Sequence, residues 1–170
     1  MAGQTGNVYI YPRNEPGTRG HLELVEPLRE LPHALEAELR GVSDADATRR
    51  LAADQWCIKE IVGHLRDAAE VYHKRLYMMS TQTDPVLEPY DQEAFAREHG
   101  YMERSIDSMV DELRRFRSQT VELLTTLVNW NWARSGQHLE VGRMSIRQMV
   151  EHMVEHEASH VADIRQLRKG

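Results

Sequence analysis

Apolar residues recur every three to four positions along four long stretches of the chain, the spacing that lines one face of an α-helix. The first stretch covers residues 21–40 and ends at Gly41, and the second covers residues 57–79. The third covers residues 101–128, and the fourth begins after Ser145, a residue type that commonly caps helices. No segment shows convincing alternation of the strand type. The pattern therefore predicts an all-α protein built as a four-helix bundle.

Proline and turn-forming residues mark the interruptions of this pattern. Pro27 and Pro32 predict a break or kink in the first helix, with Pro32 well suited to open a second helical segment. Residues 80–91 contain two prolines and predict a loop, which a short helical turn near 92–99 follows. Residues 129–143 predict a second long loop before the last helix.

The chain of 170 residues is long enough for one domain with a substantial apolar core. Glycine and proline are dense in residues 1–20, which excludes a long helix there. We interpret residues 1–20 as an N-terminal arm and residues 21–170 as the bundle domain. The arm's Val8, Tyr9, Ile10 and Tyr11 offer apolar side chains that can tether it to the domain.

Composition narrows the compartment and the class of partner. The formal net charge is −6 with both signs interspersed, which makes nucleic acid an unfavourable partner because phosphate binding needs clustered cations. A single cysteine allows no intrachain disulfide, and no apolar run approaches the roughly 20 residues of a membrane span. The N-terminus also lacks the layout of a signal peptide. We therefore expect a soluble, cytoplasmic protein without membrane partners.

Histidine is the unusual component, with nine residues in the chain. His152, His156 and His160 follow one another at intervals of four on the predicted last helix, so they project from one face. Adjacent pairs at this spacing can chelate a divalent transition metal. The letters HEASH at 156–160 also match the HExxH motif of zinc proteases, although a five-residue match is weak evidence.

A tight site needs a third ligand, and His64 on the second predicted helix is the best candidate because apolar residues flank it. Antiparallel packing of the second and last helices would bring His64 level with His156 and His160. Alternatives stay open at this point. His64 alone is more often a hydrogen-bonded core residue, the last-helix pair can be a polar surface, and His152 can replace either member of the pair or lie outside the ligand set. The remaining histidines are interpreted as solvated: His21, His33, His73, His99 and His138.

Two segments resemble the DinB/YfiT-like family of metal-binding four-helix bundles. They are WCIKEIVGHLRDAAEVYHKRL, at 56–76, and SIRQMVEHMVEHEASHVADIRQL, at 145–167. The first is similar to the family's tryptophan, helix start and histidine, and the second to its closing helix with two spaced histidines. The resemblance extends over about residues 22–168. One departure is Cys57, where many members have a serine or threonine, and it predicts a weaker helix cap.

The resemblance implies that His64, His156 and His160 are the metal triad, with zinc favoured and nickel as the alternative. It also implies an up-down-down-up bundle in which the second and third helices run parallel through a crossover at 80–100, and it implies a homodimer. Because zinc proteases have another fold, it disfavours the protease interpretation of HEASH.

Three imidazoles leave at least one coordination position open, as in catalytic sites. The family resemblance implies a small-molecule enzyme that uses such an open position. Examples are a low-molecular-weight thiol S-transferase, which uses mycothiol or bacillithiol, and a hydrolase. The alternative is a stress-associated metal-binding bundle without turnover.

Overall fold

The structure is a computed structural model that describes residues 20–169. Of the predicted N-terminal arm it includes only Gly20, which precedes the first helix, so the rest of that prediction lies outside the described residues. The helices are α1 (His21–Leu39), α2 (Asp44–Ala47), α3 (Ile58–Thr81), α4 (Gln92–Glu98), α5 (Ile106–Thr126) and α6 (Ile146–Leu167). A 3₁₀ turn, Asn129–Ala133, and three strands complete it: β1 (Val86–Leu87), β2 (Ser135–His138) and β3 (Gly142–Ser145).

The first helix corrects the prediction of a proline break. α1 continues without interruption through Pro27 and Pro32. Each proline removes one backbone donor, which ordinarily weakens a helix interior. Leu28 and Leu35 on the same helix are fully buried, and this burial of the leucine stripe compensates for the missing donors.

Side chains at the N-terminal ends cap the two helices that carry the candidate ligand histidines. At the start of α6, Ser145 Oγ accepts from the Gln148 backbone N–H at 3.1 Å and the Gln148 side chain accepts from that of Ser145 at 2.9 Å. This confirms the predicted cap. At the start of α3, Glu60 accepts from the Cys57 backbone N–H at 2.9 Å, so this end is capped although Cys57 replaces a hydroxyl residue.

Helices α3 and α5 run parallel. Near the start of each, Arg66 Nε lies 2.6 Å from Glu112 Oε2, and further along each, His73 Nδ1 lies 3.2 Å from Thr120 Oγ1. Parallel neighbours require a long connection, which is the crossover containing β1 and α4.

Helices α3 and α6 run antiparallel. Contacts pair His64 with His156, and the later Tyr72 with the earlier His152. α1 packs against both α5 and α6, starting beside the first half of α6 and ending beside its second half. The predicted up-down-down-up bundle is therefore confirmed.

A small sheet corrects the expectation that the chain has no strands. β1 pairs with β2 in parallel, and β2 pairs with β3 antiparallel. β1 and β2 lie inside the segments predicted as loops, and β3 begins in the second of these and ends two residues after it. The strands have two to four residues each. Gly142, the first residue of β3, adopts φ 83°, a conformation that glycine allows without strain. β3 leads directly into α6 and so sets where that helix begins.

The core consists of two apolar clusters with a polar layer between them. One cluster joins the first half of α1 to the second half of α3 and the first half of α6. The other joins the second half of α1 to the first halves of α3 and α5 and the end of α6. Buried polar residues lie between the clusters at mid-height: Arg117, Thr120, His156, Glu157 and His160.

Within residues 20–169, no helix has the length and apolar content needed to cross a membrane.

Candidate metal centre

Three histidine side chains meet between α3 and α6. His64 Nε2 lies 2.9 Å from His156 Nε2, which in turn lies 3.1 Å from His160 Nε2. The interval of one helical turn between His156 and His160 on α6 and the antiparallel register with α3 produce this meeting point. Among residues 20–169, these three form a group whose ligand atoms all lie within 4.8 Å of one another. The structure thus brings together the three residues predicted as ligands, while metal binding itself stays a prediction.

The donor set fits a divalent transition metal. Nitrogens bonded to zinc at 2.0–2.1 Å in tetrahedral geometry would lie about 3.4 Å apart. The observed spacings of 2.9 and 3.1 Å are only a few tenths shorter, so small ring movements would admit an ion. The rings are buried, with 2–5% of each residue exposed, so a bound ion would have few competing water ligands from bulk solvent.

Burial keeps the imidazoles in the form that coordinates metals. Desolvation, helped by His160, lowers the pKa of His64 to about 3. Desolvation, helped by His64 and His160, also places the pKa of His156 well below its ordinary value. Both rings are therefore neutral at neutral pH, and a neutral imidazole is the species that binds a transition metal.

Each end of the trio has a polar neighbour on the far side of the ring. Asp163 Oδ2 lies 3.3 Å from His160 Nδ1, and the Tyr90 hydroxyl lies 3.3 Å from His64 Nδ1. Trp56 packs edge-on against His64 with ring centroids 5.1 Å apart. Such outer contacts orient metal-binding imidazoles.

His152 lies outside the trio. Its ring stacks beside that of His156 at 5.8 Å between centroids, and its Nε2 lies 2.9 Å from the Tyr72 hydroxyl. Desolvation, together with Arg75 and His138, lowers the pKa of His152 to about 4. Of the options left open by the sequence, the structure favours His152 as a neighbour of the site and not a member of the ligand set.

The glutamate of the HEASH string points away from the histidines. Glu157 pairs with Arg117 of α5, and both residues are buried. Adjacent residues of a helix project about 100° apart. His156 therefore faces α3, whereas Glu157 faces α5. In the zinc proteases this glutamate is the general base, a role that the ion pair with Arg117 disfavours here.

The other histidines differ from the expectation that all are solvated. His33 is exposed, as predicted. His138, the last residue of β2, is buried, with 6% exposure, so that prediction was wrong. His99 Nδ1 lies 2.9 Å from both Asp67 carboxylate oxygens, and His21 stacks on the Trp132 ring.

The sequence interpretation missed Tyr90, whose hydroxyl contacts His64, and the nearby pair of Tyr101 and Asp67. Both tyrosines come from the crossover, whose path no periodicity reveals. One available signal was Gly63, a glycine inside the buried face of a helix, which often marks a close approach of another group. A Cβ at Gly63 would lie 2.4 Å from the Tyr101 ring.

Fold and site together define a helical bundle with a candidate three-histidine metal centre between its second and last long helices. The chain belongs to the DinB superfamily, whose sequence model matches residues 28–164. This confirms the family resemblance noted from the sequence.

Relatives of this chain carry names that refer to metal-dependent hydrolysis. A protein of Oceanobacillus iheyensis named "Putative metal-dependent hydrolase" is 23% identical over 147 residues, covering 86% of this chain and 85% of that protein. A protein of Bacillus cereus with the same designation is 22% identical over 145 residues, covering 85% and 83% of the two chains.

The fold is also similar to a solved structure. That structure is described as "YfiT from Bacillus subtilis is a probable metal-dependent hydrolase with an unusual four-helix bundle topology". The TM-score is 0.86 at 20% identity, covering 93% of this chain and 91% of YfiT. At this identity the likeness supports the bundle topology alone.

Proposed function

We propose that this protein is a metal-dependent hydrolase of small molecules that holds one divalent ion through His64, His156 and His160. The observation that carries the proposal is the convergence of three buried Nε2 atoms, at 2.9 and 3.1 Å, from two antiparallel helices. The names of the relatives from Oceanobacillus iheyensis and Bacillus cereus favour hydrolysis over other reactions of such a centre.

Zinc is the proposed ion, with nickel as the alternative, because neutral imidazoles suit both. When bound, such an ion supplies Lewis-acid activation of a nucleophile at neutral pH. Three protein ligands leave at least one position for water or substrate, whereas structural sites are closed by four.

The chain's own residues define the surroundings in which hydrolysis would occur. Trp56 and Tyr90 flank His64, and Tyr72 lies 6.2 Å from His156 between ring centroids, so aromatic rings surround the ligands. These rings exclude water from the buried side of the imidazoles. Glu157 does not supply a general base, because Arg117 holds its carboxylate inside the bundle.

The test compares zinc-loaded protein, chelator-treated protein and the His156→Ala variant in two screens at neutral pH. One screen offers carboxylic, phosphoric and amide esters of chromogenic alcohols or amines. The other offers mycothiol, bacillithiol or glutathione with an electrophile and measures loss of free thiol. We expect stoichiometric zinc and hydrolysis that the chelator and the variant both abolish.

Two outcomes would overturn this proposal. Zinc-dependent thiol consumption without hydrolysis would identify a thiol transferase. Stoichiometric zinc without turnover in either screen would leave a metal-binding bundle that is not an enzyme.

A further inference from the structure

A line of hydrogen-bonding groups leads from the far side of the His64 ring into the crossover and back to α3. His64 Nδ1 lies 3.3 Å from the Tyr90 hydroxyl. Tyr101 donates to Asp67 Oδ2, and the Tyr90 phenol interacts with that of Tyr101 and helps to raise its pKa. Asp67 is three residues after His64, so the line leaves α3 and returns to nearly the same face of that helix.

The Asp67 end sets the direction of every bond in this line. Its carboxylate is fully buried and pairs with Arg66 Nη1 at 2.6 Å and His99 Nδ1 at 2.9 Å. Because a carboxylate only accepts, Tyr101 uses its single hydrogen toward Asp67. A hydrogen bond between the two phenols would then have Tyr90 as its donor, and the Tyr90 oxygen would accept from His64 Nδ1–H.

Packing holds both tyrosines in place. Tyr101 is 2% exposed and lies flat against α3 where Gly63 provides room; any larger side chain there would overlap its ring. Tyr90 packs edge-on against Phe95 of α4, with ring centroids 4.8 Å apart. Burial, together with Tyr90 and Asp67, raises the pKa of the Tyr101 phenol above its ordinary value, so it stays a donor through the neutral range.

We propose that Tyr90 and Tyr101, anchored by Asp67, are positioning residues that hold His64 in its Nδ1–H tautomer and so leave the Nε2 lone pair to the metal. This inference rests on the proposal that His64 is a metal ligand. The Asp163 carboxylate lies 3.3 Å from His160 Nδ1 without forming a hydrogen bond, whereas the Tyr90 hydroxyl contacts His64 Nδ1 and Tyr101 contacts the Asp67 carboxylate. The crossover would then be part of the metal site although it supplies no ligand.

The test replaces Tyr90 by Phe, which removes one oxygen and keeps the ring that packs on Phe95. Tyr77→Phe is the matched control, because Tyr77 is 55% exposed on the same helix as His64. Two quantities are measured at pH 7: the His64 tautomer in metal-free, ¹⁵N-labelled protein by long-range ¹H–¹⁵N spectra, and zinc affinity by competition with a chromogenic chelator.

We expect wild type and Tyr77→Phe to show the Nδ1–H tautomer at His64 and equal zinc affinity. Tyr90→Phe should show a mixture of tautomers and zinc affinity about 10- to 100-fold lower, the usual effect of losing an outer partner of a ligand. Tyr101→Phe, which frees the Tyr90 hydrogen from its acceptor, should lose less.

The inference is overturned if Tyr90→Phe leaves the tautomer unchanged, or if the tautomer changes while zinc affinity stays within twofold of wild type. Because the tautomer is measured without metal, it tests the hydrogen-bond line even if wild-type protein binds no zinc. Absence of zinc binding in the wild type would instead contradict the proposed function.

Discussion

Two buried polar groups occupy the middle of the bundle, and each contains one of two adjacent residues of α6. One is a cluster of histidines and the other is an ion pair. His156 joins His64 and His160, whereas Glu157 joins Arg117 of α5. In the first group, burial lowers the pKa of His64 and of His156, so these two imidazoles remain uncharged at neutral pH. The second group consists of Arg117, which stays positively charged, and Glu157, whose carboxylate pairs with that charge.

The difference indicates which group is suited to hold a cation and which group would lower stability if one partner were removed. Neutral imidazoles with their lone pairs directed at one point are suited to an added cation. The ion pair is satisfied only in part, since within residues 20–169 Nε and Nη1 of Arg117 have no hydrogen-bond partner. Buried pairs of this type contribute little net stability but are costly to break from one side.

The largest expected effect is the loss of the metal site in His156→Ala. This variant should lose stoichiometric zinc, measured by elemental analysis after dialysis, while its far-UV circular dichroism stays close to that of wild type. The reason is that two apolar clusters hold the helices together, and the metal adds only its binding free energy through linkage.

His33→Ala is the control, because His33 is an exposed histidine with no place in the trio. If His156→Ala unfolds, the site is structural and the enzyme proposal loses its main support. If it keeps full metal content, the ligands are misassigned, and His152 with His160 or His64 becomes the set to examine.

Regular spacing was sufficient to identify the candidate histidines, but the choice of His64, His156 and His160 over sets that include His152 came from the family resemblance, and metal binding stays a prediction. Intervals of four on a helix and the apolar neighbours of His64 decide where these side chains point, whatever the details of the loops. The same regularity predicted the four long helices and their order. The ion pair was not predicted, because the register between α5 and α6 decides that Arg117 meets Glu157, and no local pattern encodes it.

The remaining errors share a physical cause. β1, β2 and β3 are too short for alternation to be visible, and β2 contains a glycine and three polar residues, SGQH. Pairing across the crossover, with Val86 beside Gln137, stabilises them. The burial of His138 follows from that pairing. α1 continues through two prolines because tertiary burial stabilises it more than the prolines destabilise it locally. The local sequence gives no measure of that burial.

The next largest effect is expected at the ion pair. Arg117→Met should lower the free energy of unfolding by about 3–5 kcal/mol at pH 8, because it leaves the Glu157 carboxylate buried without its partner. Burial already raises the pKa of Glu157 to about 7 against the opposing effect of Arg117. Without Arg117 that pKa rises further, so the loss should be smaller at pH 5, where Glu157 takes up a proton.

Urea unfolding at the two pH values measures this effect, and the double variant Arg117→Met/Glu157→Leu provides the matched comparison. Replacing both partners by apolar side chains should recover wild-type stability or exceed it by about 1–4 kcal/mol. Zinc content should be unchanged in the double variant. A single variant that loses less than about 1 kcal/mol at pH 8, or a double variant less stable than the single, would contradict the contrast between the two groups.

The last expected effect is a dependence of stability on pH whose sign differs between the buried histidines and Glu157. Burial lowers the pKa of His64 to about 3 and that of His152 to about 4, from an ordinary value of 6.5. At pH values between each lowered pKa and 6.5, the unfolded chain binds more protons than the folded protein. The free energy of unfolding of metal-free protein should therefore fall as pH drops below 6.5, by up to about 1.4 kcal/mol per pH unit for each such histidine.

Glu157 acts in the opposite direction. Its pKa is raised from 4.5 to about 7, so between these values the folded protein binds more protons, and its contribution to stability declines as pH rises. Urea unfolding of metal-free protein between pH 5 and pH 7.5 separates the two terms. His152→Asn should flatten the loss of stability on acidification, Glu157→Gln should steepen it, and His33→Asn should leave it unchanged. If Glu157→Gln flattens the dependence instead, the carboxylate is ionised throughout this range in the folded protein, and the two groups do not differ in the way their burial implies.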